Sequence, residues 1–408
     1  MAKSDLIVGL DIGTTKICAV VGEATPEGVD IVGIGTSPST GLRKGVVVNI
    51  EQTVQSIKKA LEEAELMAGC EIRSVYAGIA GSHIKGFNSH GVIAVKGGEV
   101  GPKDMERALD AAKAVAIPLD REVIHILPQE YIVDDQRGIA DPLGMAGVRL
   151  EVKVHIVTGA VTSAQNIVRS CHRSGLDVSD IVLEALASSK AVLTEEEREI
   201  GVALVDLGGG TTDIAVFGND SIKHTGVLAL GGQNLTNDIA FGLRTPMVSA
   251  EKIKVKYGCA MADLVRTEEL IEVPSVGGRE PRRLSRQVLA EICEPRMEEI
   301  LSLVDQELVR SGFKNMIGAG VVLTGGTALI EGCQELGEQI FNLPTRIGYP
   351  RNVGGLKDVV NSPKFATAVG LLRYGAEKEG LELKFRIRDG NVFNHVLSRM
   401  RKWFSDIS

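Results

Sequence analysis

The sequence predicts an α/β fold of two lobes, with a small α/β domain inserted into the first lobe and an amphipathic helix at the C-terminus. Three observations carry that expectation. A unit of apolar strand, aspartate, Gly/Thr-rich reversal and second apolar strand occurs twice, as LIVGLDIGTTKICAVVG at 6–22 and VALVDLGGGTTDIAVFG at 202–218. Strand-like and helix-like patterns alternate through most of the remaining chain. A length of 408 residues exceeds what one ordinary hydrophobic core covers.

After the first hairpin, VDIVGIGTSPSTGLRKGVVVNI reads as further strand. IEQTVQSIKKALEEAELMAG then places Val54, Ile57, Ala60, Leu61 and Ala64 at helical spacing, and RSVYAGIAGSHI returns to strand. Composition changes over 85–159, which reads as the inserted domain. Its helix, PKDMERALDAAKAVAI, starts at Pro102 and is expected to end at Pro118. Strands EVIHILPQEYIVD and VRLEVKVHIVTG follow, with the turn-rich loop QRGIADPLGMAG between them. AVTSAQNIVRSCHRSGL and VSDIVLEALASSKAVLTEEER contain helices, and the charged run 195–198 reads as a solvated loop. Beyond the second hairpin the chain is helix-rich to about Leu308, broken by a loop around PSVGGREPRR. GAGVVLTGGTALIEGC reads as strand, glycine turn and helix, and SPKFATAVGLLRYG as the closing helix.

Composition narrows the function. A hydrophobic fraction of 44% and a charged fraction of 24% suit a globular protein, and a net charge of −8 gives no overall attraction for nucleic acid or anionic membrane. No nucleic-acid partner is expected, and any membrane contact must be local. Cys18, Cys70, Cys171, Cys259, Cys293 and Cys333 form no CxxC pair, so free thiols are expected, without a zinc site or disulfides. The histidines show no metal-ligand spacing, and Cys171-His172 reads as a structural pair. No leader peptide and no membrane-spanning run are expected.

Each repeated hairpin exposes backbone N–H groups and hydroxyls at its tip, a set of donors that suits an anion. Two such turns facing each other would clamp a polyphosphate, with Asp11 and Asp206 near a hydrated Mg²⁺. The blander account is two ordinary glycine hairpins. A third glycine turn, Gly325-Gly326-Thr327, lets a flat ring or a sugar lie against backbone, or is a simple strand–helix turn. Glu251 and Lys254 share a helix face and could hold ribose and base, or merely solvate the helix.

At the C-terminus, Val392, Phe393, Val396, Leu397, Met400, Trp403, Phe404 and Ile407 fall at steps of three and four, with Arg399, Arg401 and Lys402 as cations beside them. That pattern suits a helix lying in a membrane interface, with each basic group worth roughly 1 kcal/mol near anionic lipid. A charged stretch at 376–390 reads as its tether. An ordinary helix packed on the core is the alternative. Arg279, Arg282, Arg283 and Arg286, with Arg296 and Glu299 further on, concentrate charge in an otherwise acidic chain and read from the residues alone as a solvated cluster.

In order along the chain, DIGTTK, VDLGGGTTDIAVF and VVLTGGTALIEG resemble the signature of the superfamily of actin, sugar kinases and heat-shock chaperone ATPases. LALGGQNLTNDIAFGL and GGREPRRLSRQVLAEICEPRMEEIL, with the inserted domain and the terminal helix, are similar to FtsA, the actin-like family of bacterial cell division. The resemblance covers nearly the whole chain. It implies an actin-like two-lobed ATPase fold. The first lobe would take 1–84, 160–198 and 351–375, and the second 199–230, 231–308 (its helix-rich subdomain) and 309–350, with 391–408 as the membrane-targeting helix.

It further implies that Gly13, Thr14, Thr15 and Lys16 form one phosphate hairpin and Gly208, Gly209, Gly210 and Thr211 the other. Asp11 and Asp206 would hold Mg²⁺ through water. Gly325, Gly326 and Thr327 would line the adenosine of ATP opposite Glu251 and Lys254, and Glu184 would orient the attacking water, with at most weak ATPase activity. Arg282, Arg283, Arg286, Arg296 and Glu299 would belong to the lobe that docks the C-terminal tail of FtsZ. The implied function is a self-polymerising adaptor that anchors FtsZ filaments to the cytoplasmic face of the inner membrane at the division site. It would also help recruit later division proteins, with the insert as a candidate interface for them. The alternatives are a small-molecule kinase of the same superfamily or a PilM-like pilus-assembly scaffold.

Overall fold

In the computed structural model, which describes residues 6–26 and 28–388 with side chains as far as Glu379, each repeated segment folds into a hairpin that seeds a sheet. β1 (Ile7–Ile12) and β2 (Lys16–Thr25) form the first hairpin, and β3 (Gly28–Pro38) extends it. Every β1 residue is buried, so this strand reads as a continuous apolar run, as a strand covered on both faces must. Short β4 (Leu42–Arg43) and β5 (Val46–Val47) lead into α1 (Ile50–Ala68). Asn49 caps α1 by accepting from the Gln52 N–H at 3.1 Å. The expected face, Val54, Ile57, Ala60, Leu61 and Ala64, is buried, each larger side chain contributing about 1.5–3 kcal/mol. β6 (Ser74–Ile79) then runs parallel to β1.

The inserted domain comprises β7 (Lys85–Ala94), α2 (Pro102–Lys113), β8 (Arg121–Val133), β9 (Gln136–Ile139) and β10 (Arg149–Ala160), with strand order β7-β10-β8-β9. It has its own core, in which Ala108 and Ala112 of α2 meet Leu150, Val152 and Val154. Two expectations fail here. Helix α2 stops at Lys113, not at Pro118, because beyond Ala112 its apolar face has nothing to cover: Val115 is exposed. The loop expected between the long strands contains β9, which folds back on β8 through a turn with Asp134 at φ 53°.

The chain returns to the first lobe with α3 (Val161–Arg173), β11 (Asp177–Leu183) and α4 (Glu184–Val192). The run 195–198, expected as a loop, is instead the start of α5 (Glu195–Ile200). Thr194 and Glu197 close a capping box there, and Glu197 holds Arg346 in a two-pronged ion pair at 2.6 and 2.7 Å.

The second lobe contains β12 (Val202–Leu207), β13 (Thr212–Gly218), β14 (Ser221–Leu228), α6 (Gly232–Gly242), α7 (Met247–Tyr257), β15 (Leu270–Val273), β16 (Arg282–Ser285) and α8 (Arg286–Arg310). The loop expected around PSVGGREPRR is the connection of a small hairpin, with Arg282 and Arg283 already in its second strand. β17 (Val321–Thr324), α9 (Cys333–Phe341) and β18 (Thr345–Ile347) complete this lobe. The last elements are β19 (Val353–Gly355), which pairs with β3, α10 (Lys357–Val360) and α11 (Ala366–Arg388).

The two main sheets repeat one plan. The order β11-β6-β1-β2-β3-β19 in the first lobe matches β18-β17-β12-β13-β14 in the second: parallel strands, then the antiparallel hairpin and its extension. α11 packs against α4 and β1, close to both hairpins. It continues through 376–388, where a tether was expected, because AEKEGLELKFRIR is rich in helix formers and Lys378 anchors to Asp180 at 2.5 Å. The candidate membrane residues at 392–407 lie outside the described residues. Among the described residues, no helix is long and apolar enough to cross a membrane.

Candidate functional site

Both hairpins end in the same turn. The Gly13 N–H donates to the Lys16 carbonyl at 3.0 Å, and the Gly208 N–H donates to the Thr211 carbonyl at 3.0 Å. The tips face each other across the lobes. A Cβ on Gly209 would lie 2.4 Å from the Thr15 side chain, and one on Gly210 2.5 Å from that of Thr14. In this conformation the two threonines fill the space between the tips. An anion would take it by turning those side chains or by a small separation of the lobes.

Acidic groups converge beneath the tips. Asp11 ends β1 and meets the Lys16 ammonium at 3.2 Å. Asp206 ends β12, and its Oδ2 accepts from Ser188 at 2.5 Å and Thr367 at 3.1 Å, both in the first lobe. Asp213 faces Asp206 in the hairpin register and is buried, with Oδ1 lacking a hydrogen-bond partner. Glu184 opens α4 and lies against Gly78, where a Cβ would come 3.1 Å from its Cγ.

Burial, and then the charges of Asp11, Asp213 and Asp206, raises the Glu184 carboxyl well above the usual carboxylate range. Asp206 is pushed up to about 6 by burial, against the pull of the Ser188 hydrogen bond. Asp213 is raised by burial and by the Asp206 charge. This is a site short of positive charge, and a divalent cation would relieve it. Among the described residues no three acidic, histidine or cysteine side chains enclose a metal by themselves. A cation here would take its remaining ligands from water and phosphate, as Mg²⁺ ordinarily does.

The third glycine turn abuts the second hairpin. Gly325 has φ 86°, and a Cβ there would fall 2.4 Å from Asp206 Oδ1, so only glycine fits without displacing that carboxylate. Thr327 Oγ1 donates to the Gly208 carbonyl at 2.9 Å, while Gly326 is more open. Lys254 on α7 is buried and donates to Glu251 at 2.7 Å, Thr236 at 2.9 Å and the Gly232 carbonyl at 3.1 Å. Its charge is therefore used within the lobe, and Glu251 is the more exposed member of the pair.

The arginine cluster divides. Arg286 is tied to Glu269 at 2.8 Å and to Glu331, and Arg296 to Asp238 at 2.6 Å and to Glu299. Both arginines are therefore held by carboxylates of their own lobe. Arg282 and Arg283 on β16 are exposed, although Arg282 also donates to the Leu243 carbonyl.

Asp213 escaped the sequence reading, although its signal was present. In the second repeat the return strand carries an aspartate where the first carries Cys18, the register partner of Asp11. Five of the six cysteines are buried, and burial pushes the Cys171 thiol up to about 12.

Comparison with known proteins supports one reading of this arrangement. The sequence profile described as Cell division protein FtsA matches residues 203–370, and that of the SHS2 domain inserted in FtsA matches 81–158. The chain is 55% identical over 404 residues to the Cell division protein FtsA of Pseudomonas aeruginosa, covering 98% of this chain and 97% of the relative. It is 46% identical over 412 residues to that of Escherichia coli K12, covering 98% of each.

Among solved structures, the PilM–PilN type IV pilus biogenesis complex superposes with a TM-score of 0.65 at 18% identity, covering 91% of this chain and 98% of that one. MreB5 of Spiroplasma citri bound to ADP superposes with a TM-score of 0.54 at 16% identity, covering 94% of this chain and 99% of that one. These likenesses show the fold, which is actin-like with an inserted SHS2 domain. The close relatives match from end to end, through the hairpins, the insert and the helix-rich part of the second lobe alike, and the chain accordingly belongs to the FtsA family of cell division proteins.

Proposed function

We propose that this chain binds ATP with Mg²⁺ between its lobes, polymerises on the cytoplasmic face of the cell membrane at the division site, and anchors FtsZ filaments there. The observation that carries this reading is the meeting of the two hairpin tips above Asp11, Asp206, Asp213 and Glu184. Bound there, Mg²⁺ and ATP would supply a divalent charge and a phosphoanhydride bond.

The chain's own residues have separable tasks. The backbone N–H groups and hydroxyls of Gly13–Thr15 and Gly208–Thr211 hold phosphate oxygens, with Lys16 as the cation. Asp11 and Asp206 hold the metal's water. Gly325, Gly326, Thr327 and Glu251 line the adenosine side, Lys254 bracing Glu251 from behind. Glu184 orients water.

Exposed Arg282 and Arg283 are the cations best disposed to meet the C-terminal tail of FtsZ. The pattern at 392–407 supports interfacial membrane binding.

The test is sedimentation with anionic lipid vesicles, with and without Mg²⁺ and ATP, for the full chain and for a version ending at Gly390. The full chain pellets with vesicles, more completely with nucleotide, and the shortened chain stays in solution. If neither version pellets and neither binds ATP, the adaptor reading falls.

A further inference from the structure

The start of α4, where Glu184 sits, is held by a residue of the inserted domain. β11 is the edge strand of the first lobe's sheet, so the Leu183 N–H points away from its only sheet neighbour. α4 has no side-chain cap of its own. The acceptor comes from β8: His125 Nε2 receives the Leu183 N–H at 3.0 Å. That bond requires the neutral ring with its proton on Nδ1. The His125 ring is buried and lies 6.2 Å from the Tyr374 ring, and the Tyr374 hydroxyl donates to Asp180 on β11 at 3.1 Å.

The same domain also grips the second lobe. Gln129, four residues along β8, donates to the Ile222 carbonyl at 2.7 Å. Asn88 donates to the Lys223 carbonyl at 3.1 Å, and His155 Nε2 lies 2.8 Å from Thr225 Oγ1. All three contacts fall on β14, the strand beside the one that carries Asp213. β8 therefore bridges the two walls of the site, touching the Glu184 junction at one end and the flank of the second hairpin at the other.

We infer that His125 is a positioning residue for Glu184, through which the inserted domain fixes the site's water-orienting carboxyl relative to the closed lobes. Glu184's task rests on the nucleotide-site reading above; the hydrogen bond to Leu183 does not. Burial lowers His125 to about 4, so the ring stays an acceptor throughout the neutral range.

The test uses the full chain with His125→Phe, which keeps a ring against Tyr374 but offers no acceptor, and His125→Gln, whose amide oxygen can replace Nε2. Amide hydrogen exchange over 181–186, ATP affinity and single-turnover hydrolysis are measured for each. His125→Phe raises exchange at Leu183 and lowers turnover by about tenfold, the factor one buried hydrogen bond carries, with ATP affinity within about twofold. His125→Gln restores both. Wild-type exchange and turnover in His125→Phe would overturn the inference, as would loss of both in His125→Gln with the fold intact. If the wild-type chain binds no ATP, the nucleotide reading fails, and the exchange measurement still decides whether His125 holds the junction.

Discussion

The two hairpins share a backbone and divide the chemistry. Both close with the same glycine turn, and both put an aspartate at the end of the incoming strand. In the first, Asp11 is answered within the hairpin by Lys16, and its register partner is Cys18. In the second, Asp206 faces another carboxyl, Asp213, and its Oδ2 accepts from Ser188 and Thr367 of the opposite lobe. One hairpin is thus balanced by itself and offers a cation. The other is balanced across the lobe boundary and offers carboxylates. A duplicated turn fixes where the ligands meet, while single side chains decide which part of the ligand each copy takes.

Charge substitutions test that division most strongly. Lys16→Met strips Asp11 of its partner in a largely dry site, and the nucleotide-free chain should lose about 2–3 kcal/mol after allowance for partial exposure of the pair. ATP affinity should fall by roughly tenfold or more with the charge-assisted contact. Asp213→Asn should act in the opposite sense on the empty protein, because it removes a buried carboxyl that has an unpartnered oxygen beside Asp206. Urea unfolding of both variants checks the signs. A loss of stability in both would mean that the second hairpin is not strained by its own acids.

How much of this was legible in the sequence depends on range. The hairpins could be read because strand, aspartate and glycine turn are adjacent in the chain. Asp213 lies inside the same motif, yet its importance depends on a strand register that places it across from Asp206. α5 was missed although Thr194 and Glu197 have capping-box spacing; the run of like charges suggested solvent instead. Arg286 and Arg296 looked like a basic surface because Glu269, Glu331 and Asp238, which pair with them, are 17 to 58 residues away. The bridge from the insert to both lobes joins residues 58 to 135 positions apart, and no local pattern announces it.

That bridge gives a second contrast between the hairpins, open to a pH test. The second hairpin is flanked by β14 and the insert's His155, the first by β3 and α1. Burial, followed by the charge of His224, lowers His155 to about 4. For His125, burial and Lys378 lower the value while Asp180 opposes them. Both folded values lie below the unfolded one near 6.5, so the unfolded chain binds more protons between pH 6.5 and 4. Stability is complete above that window and falls as pH falls through it. At pH 5.5 the loss should be about 1 kcal/mol per histidine. Hydrogen exchange, corrected for intrinsic rate, should rise at β14 between pH 7.5 and 5.5 and stay unchanged at β3. Equal loosening of both strands would mean that the histidines do not set the difference.

The smallest effect should come from Thr327→Val, and its size measures how the third glycine turn braces the second hairpin. The substitution removes the hydrogen bond from Thr327 to the Gly208 carbonyl. That carbonyl keeps a second donor, the Gly232 N–H at 2.9 Å, so no buried acceptor is stranded. The expected cost is about 0.5–1 kcal/mol, read as a small fall in Tm. Thr14→Val in the first hairpin is the control. It removes the acceptor of the Gly45 N–H at 2.9 Å, a donor left without that partner, and should cost more despite the same change of atoms. If Thr327→Val proves the costlier, the carbonyl of Gly208 depends on the threonine rather than on the start of α6, and the second hairpin is held from the adenosine side more firmly than its hydrogen bonds suggest.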